Sequence, residues 1–157
     1  MVLLTAMIYF SKVMAEILEL GLCQTAVSIL MREIWSLIKV FPGKKFTVML
    51  PLEAELTKYI HNVFGAYKVT YFNAAKEHVE KMGADWAKVH TGVLLSGYIN
   101  DTHTYVPGPD GKLGYGGKCF PKDVNAFAKM TQGTSMGTLL APLHALNVHF
   151  RGVEERV

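Results

Sequence analysis

A thiol, two ammonium groups and a carboxylate crowd into the run Lys118-Cys119-Phe120-Pro121-Lys122-Asp123. Pro121 fits the first position of a helix, where a missing N–H costs nothing. Asp123 then falls in the first helical turn, where the dipole favours a carboxylate. Cys119 sits just before that helix start, flanked by lysines. Positive surroundings of that kind favour the thiolate, the form of cysteine that attacks carbonyl carbon. The chemistry on offer is a cysteine nucleophile with a carboxylate one helical turn later. A second reading stands beside it, because a lone cysteine is also a small hydrophobe that packs well in a core. Asp123 likewise has a purely structural use as a partner of the helix dipole.

The residues before Cys119 bear on the choice. The stretch from Pro107 to Phe127, PGPDGKLGYGGKCFPKDVNAF, holds three of the chain's six prolines and a cluster of glycines. Glycines let a backbone approach a ligand and take positive φ, so this reads as a pocket-lining loop. It is not a phosphate loop, which needs Gly at position 112, where Lys stands, and Ser or Thr at 119. It is not a dinucleotide turn either, because Gly114 and Gly116 are followed three residues later by Cys119. Upstream, Lys58 and Asn62 share one face of a helical pattern. On local grounds alone they read as a solvated lysine and an incidental asparagine. His144 and His149 do not share a helix face, and no Cys/His spacing matches a zinc site.

The elements that must carry these groups are mainly helical. Pro51 near its start and Gly83 just past its end frame one long helix over about 52–82, with Leu56, Ile60, Val63, Tyr67, Thr70 and Ala74 as its stripe. Shorter helices are expected over GADWAKVHTGVLL, from Pro121 to about Met130, and from near Thr138 to Phe150. Tyr98 to Gly117 reads as loop and Gln132 to Gly137 as a polar turn. Residues 1–41 form an apolar, mostly helical segment with a possible strand at Val2–Phe10, and Phe46 to Leu50 is a short β-like run. The fold class expected is mainly α, one long helix with a glycine-rich loop. The domains expected are 1–41 and 42–157.

Composition sets the outer bounds. The chain has 157 residues, half of them hydrophobic, and 18% are charged, a globular balance. Net charge is +3 and no dense basic run appears, which argues against nucleic acid. Two cysteines are too few for a disulfide framework, so a cytoplasmic setting is the expectation. Lys12, Glu16 and Glu19 interrupt the apolar N-terminus, so neither a membrane span nor a secretory signal is expected there.

The segment GYGGKCFPKD resembles the active-site signature of the nucleotide-sugar 6-dehydrogenases, the UDP-glucose and GDP-mannose dehydrogenase family. VPGPDGK before it is similar to the longer loop of some members, and EAELTKYIHN to the segment whose Lys and Asn face the reacting centre. FPGKKFTVMLPLEAELTKY resembles the join between the family's cofactor domain and its central helical domain. The resemblance implies NAD as cofactor and a UDP-sugar or related nucleotide sugar as substrate. It implies a four-electron oxidation of the sugar C6 alcohol through a cysteine thiohemiacetal and a thioester. Cys119 would be the nucleophile, Lys58 the oxyanion partner, Asn62 an orienting amide and Asp123 the group that positions or deprotonates water. Tyr105, Tyr115, Gly116, Gly117 and Lys122 would line the substrate. A homodimer through the long helix is implied as well.

The resemblance also implies an NAD-binding Rossmann domain and a nucleotide-closing domain, for which this chain has no matching residues. The family's loop arginine is replaced near Tyr98. Two alternatives follow. The chain is a piece of a dehydrogenase, which a separate Rossmann domain could complete, or it is a non-catalytic helical dimerisation or binding module that keeps the signature.

Overall fold

The computed structural model describes residues 32, 36, 47 and 49–152. Four helices are defined: α1 (Pro51–Lys81), α2 (Trp86–Leu94), α3 (Phe120–Met130) and α4 (Ser135–Arg151). There is no strand among the described residues. The fold is mainly α and is built on one long helix, as the sequence implies. The chain divides into two compact units, Met1–Lys58 and Tyr59–Val157. The first turns of α1 belong to the first unit, and the remainder of α1, the long loop and the other helices make up the second.

Each helix end has a local cause. The Leu50 N–H donates to the Glu53 carboxylate at 2.6 Å, the reach-back half of a capping box, and Pro51 takes the first helical position. Of the expected β-like run at Phe46 to Leu50, Thr47, Met49 and Leu50 are not in a strand, and Phe46 and Val48 lie outside the described residues. Gly83 ends α1 at φ +76, and its N–H and that of Ala84 close back onto Glu80 and Val79. Asp85 caps α2 through the N–H groups of Ala87 and Lys88. Thr134 caps α4 by accepting from Gly137, so α4 starts at Ser135, three residues before the expected Thr138. The expected strand at Val2–Phe10 lies outside the described residues, as does most of the 1–41 segment; Arg32 and Ser36 within it are helical.

The core of the second unit joins Val63, Ala66 and Phe72 of α1 to Tyr115 of the loop, Val124 and Phe127 of α3, and Leu140 and Leu143 of α4. Tyr59 stacks on Phe127 at 5.7 Å between ring centroids, nearly parallel. The expected stripe on α1 holds in part: Val63 and Thr70 are buried, Leu56 and Tyr67 half-buried, and Ile60 and Ala74 exposed. The buried face runs through Asn62, Val63, Ala66, Thr70, Phe72 and Asn73, whereas Phe64 and Tyr71 on the other side are exposed, Phe64 at 67%. Most of the inward side chains are small or polar, which lets α3 and the loop come very close. At Gly65 an added Cβ would lie 2.7 Å from the Phe120 ring, with His103 also in contact.

That approach generates a test. Gly65→Val should destabilise the fold by about 1–3 kcal/mol in urea unfolding, because the added side chain would displace the Phe120 ring. Ala74→Val, at an exposed position of the same helix, should cost no more than about 0.7 kcal/mol. Equal effects at the two positions would contradict the close approach.

Candidate active site

Asp123 is the best buried of the expected site residues, 1% exposed despite its charge. A buried carboxylate needs hydrogen-bond donors. Asn62 supplies one from α1, its Nδ2 lying 2.6 Å from Asp123 Oδ2. Lys122 supplies another to Oδ1 at 2.5 Å. Asp123 thus sits in the first turn of α3 as expected, but its side chain faces α1. The hydrogen bond to Asp123 chiefly raises the Lys122 pKa, with the nearby Cys119 a smaller contributor.

Cys119 occupies the position before α3, is exposed, and leaves its side chain out of the capping. Its carbonyl accepts the Asp123 N–H at 2.9 Å, so thiol and carboxylate are one turn apart on one rigid element. The structure therefore brings Asn62, Lys122 and Asp123 together, with Cys119 at the mouth of the same helix. Lys58 lies in the first unit, one turn before Asn62 along α1, with Glu55 Oε2 at 3.9 Å.

The glycine loop is held by residues that sequence reasoning did not single out. Asn147 of α4 accepts the Tyr115 N–H through Oδ1 at 2.7 Å and donates Nδ2 to the Tyr115 carbonyl at 3.0 Å. Asn73 of α1 accepts the Gly114 N–H at 3.1 Å. Arg151 donates to the carbonyls of Leu113 and Gly114, each at 3.3 Å, and pairs with Asp110. That bond, with the Lys112 N–H, holds the Asp110 carboxyl below its ordinary pKa.

The two expected glycines differ. The space a Gly116 side chain would fill is taken by the Arg151 guanidinium, so glycine there answers to the chain's own packing. Gly117 has φ +76 with open space where a side chain would be, the form suited to a ligand's approach. Tyr115 is 3% exposed and packs edge-on to Phe120, so its ring is an anchor beneath the loop. Tyr105 is exposed and lies across the His90 ring in the cluster of Phe72, Trp86 and His90. The Thr104 hydroxyl donates to the Asp101 carbonyl and so accepts from His90, which ties this part of the loop to α2. Tyr98 is exposed. Among the described residues no group of His, Cys, Asp and Glu could hold a metal ion, and no helix is long and apolar enough to cross a membrane.

Residues 52–147, from the capped start of α1 to the asparagine that holds the loop, match the model of the UDP-glucose/GDP-mannose dehydrogenase family, central domain. The chain belongs to that family. It is 42% identical over 79 residues to a UDP-glucose 6-dehydrogenase of Rhizobium meliloti, which covers 50% of this chain and 17% of the relative. A UDP-glucose 6-dehydrogenase of Rickettsia prowazekii is 34% identical over 103 residues, 66% of this chain and 22% of the relative. UDP-glucose 6-dehydrogenase TuaD of Bacillus subtilis is 35% identical over 79 residues, 50% of this chain and 16% of the relative. The chain thus spans about a fifth of the length of these relatives. No solved structure matches.

Burial pushes the Tyr115 phenol up from 10.0 to about 12. The folded state prefers the neutral phenol. Its contribution is therefore whole below pH 10 and is lost as pH rises from there through about 12. Phenolate absorbance should show a final step at about pH 12, and Tyr115→Phe should remove it. A final step that survives Tyr115→Phe would contradict the buried placement.

Proposed function

We propose that this chain is the catalytic-cysteine and dimerisation domain of an NAD-dependent nucleotide-sugar 6-dehydrogenase acting on UDP-glucose. One observation carries the reading: the buried Asn62–Asp123 bond, which joins two segments of the family signature across 61 residues. A charge buried in this way is costly unless it is held by specific partners. Its place one turn from an exposed thiol suits acid–base work beside a nucleophile.

In the proposed reaction, the Cys119 thiolate attacks an aldehyde at the sugar C6. The new S–C bond opens the carbonyl, and the oxyanion is met by Lys58 and oriented by Asn62 before it takes a proton. Loss of hydride from C6, with the hydroxyl proton released to solvent, leaves a thioester. Water then attacks the thioester carbonyl with Asp123 positioning it or taking its proton, the S–C bond breaks, and the carboxylate leaves with Cys119 restored. Gly117 gives the substrate an open stretch of backbone, with Gly116, Tyr115 and Lys122 around it and Tyr105 contributing from the same loop. The part given to Lys58 rests on its place in the family-like segment EAELTKYIHN.

The described residues do not fit a nicotinamide dinucleotide. They include no strand, and their one dense glycine run is pinned by Asn73, Asn147 and Arg151. Both hydride removals, including the first from the C6 alcohol, are assigned to a cofactor domain outside them. The exposed face of α1, Ile60, Phe64 and Tyr71, supports a homodimer, since solvated aromatics along one helix face favour a covering partner. That same face supports the second reading, a dimerisation or binding module without turnover.

A chimera separates the two. Residues 52–147 should replace the corresponding central segment of the Rhizobium meliloti relative, with NADH followed at 340 nm on addition of UDP-glucose. We expect two NADH per sugar oxidised, and a loss of turnover of at least about 10³-fold with Cys119→Ala. A chimera that folds and dimerises but forms no NADH would favour the non-catalytic module.

A further inference from the structure

The proposed chemistry uses no residue of α4, yet α4 makes the most specific contacts to the loop that leads into Cys119. One carboxamide, Asn147, satisfies both the N–H and the C=O of Tyr115. A neighbouring β-strand would satisfy them the same way, and here a side chain does so for a single residue. The orientation of the amide is fixed by this demand, because only Oδ1 can accept and only Nδ2 can donate. Arg151, one turn later on α4, closes the clamp on Leu113 and Gly114 and fills the space beside Gly116.

Only Gly116, Gly117 and Lys118 separate this clamp from Cys119. On the far side of Cys119, Asp123 anchors α3 to α1 through Asn62. The thiol therefore sits on a short tether between two fixed points, and glycines give a tether no stiffness of their own. With one anchor released, Gly116 and Gly117 would let the segment wander and Cys119 would lose its fixed setting at the helix start.

We propose that Asn147 is a positioning residue for Cys119. It acts through the Tyr115 peptide groups and is reinforced by Arg151, and it touches neither thiol nor substrate. The functional weight of this inference rests on the reading of Cys119 as the nucleophile. The clamp itself is measurable without substrate or cofactor, so failure of either idea can be told from failure of the other.

The test uses the full 157-residue chain. Amide exchange is read at Tyr115, and iodoacetamide alkylation is read separately at Cys119 and Cys23 by peptide mass. In Asn147→Leu, Tyr115 exchange should speed up by about tenfold or more. The Cys119 to Cys23 rate ratio should fall at least about threefold as the helix-start setting is lost. Asn147→Asp keeps the acceptor for the Tyr115 N–H and should hold exchange within about threefold of the parent. A purely structural role would lower the melting point and leave the thiol ratio of the folded protein unmoved. Parental exchange or a parental thiol ratio in folded Asn147→Leu would overturn the proposal. Should that variant fail to fold, Arg151→Met decides in its place: faster exchange at Gly114 and Tyr115 supports the clamp, and parental exchange overturns it.

Discussion

The burial of the Asp123 carboxylate is the constraint on which the rest of the site depends. A charge this far from water must be met by donors, and the donors must arrive from fixed directions. Asn62 arrives from α1 and Lys122 from the same turn as Asp123. Meeting that demand seats the first turn of α3 on α1. Phe120 then falls against Gly65, and Cys119, one turn earlier, is left facing outward. The thiol's exposure is thus a consequence of its neighbour's burial.

This seating explains why α1 carries its small and polar residues inward. A face of Asn62, Ala66, Thr70 and Asn73 lets a helix and a loop approach closely while supplying hydrogen-bonding groups to both. The bulky residues Ile60, Phe64 and Tyr71 are turned to the other side. The two faces of one helix therefore do different work, one building the site and the other presenting an apolar surface. The first face is read directly from hydrogen bonds, and the second is what the proposed dimer would cover.

Much of this was legible in the sequence, for identifiable reasons. Pro51 and Gly83 bracket α1 because their backbone preferences are local. The segment around Cys119 suggested the family, and the match over residues 52–147 bears the family out. The α1 stripe was legible in part: Val63 and Thr70 face inward as periodicity suggests, but Ile60 is exposed while Asn62 and Asn73 are buried as hydrogen-bonding groups, which a pattern of bulk does not select. At the end of the expected β-like run, Leu50 serves instead as a helix cap, a role set by Glu53 three residues on. Asn73, Asn147 and Arg151 carry no local signal at all. Each acts on backbone groups more than thirty residues away in sequence, and only the fold brings them there.

A double-mutant cycle on Asn62 and Asp123 tests the central claim most directly. Urea unfolding of Asn62→Ala, Asp123→Ala and the double variant isolates the energy that the two side chains share. The account predicts a coupling of about 1.5–3 kcal/mol, the range of a hydrogen bond to a charged group. Losses that simply add, with no coupling, would contradict the view that this contact seats α3 on α1 and places Cys119.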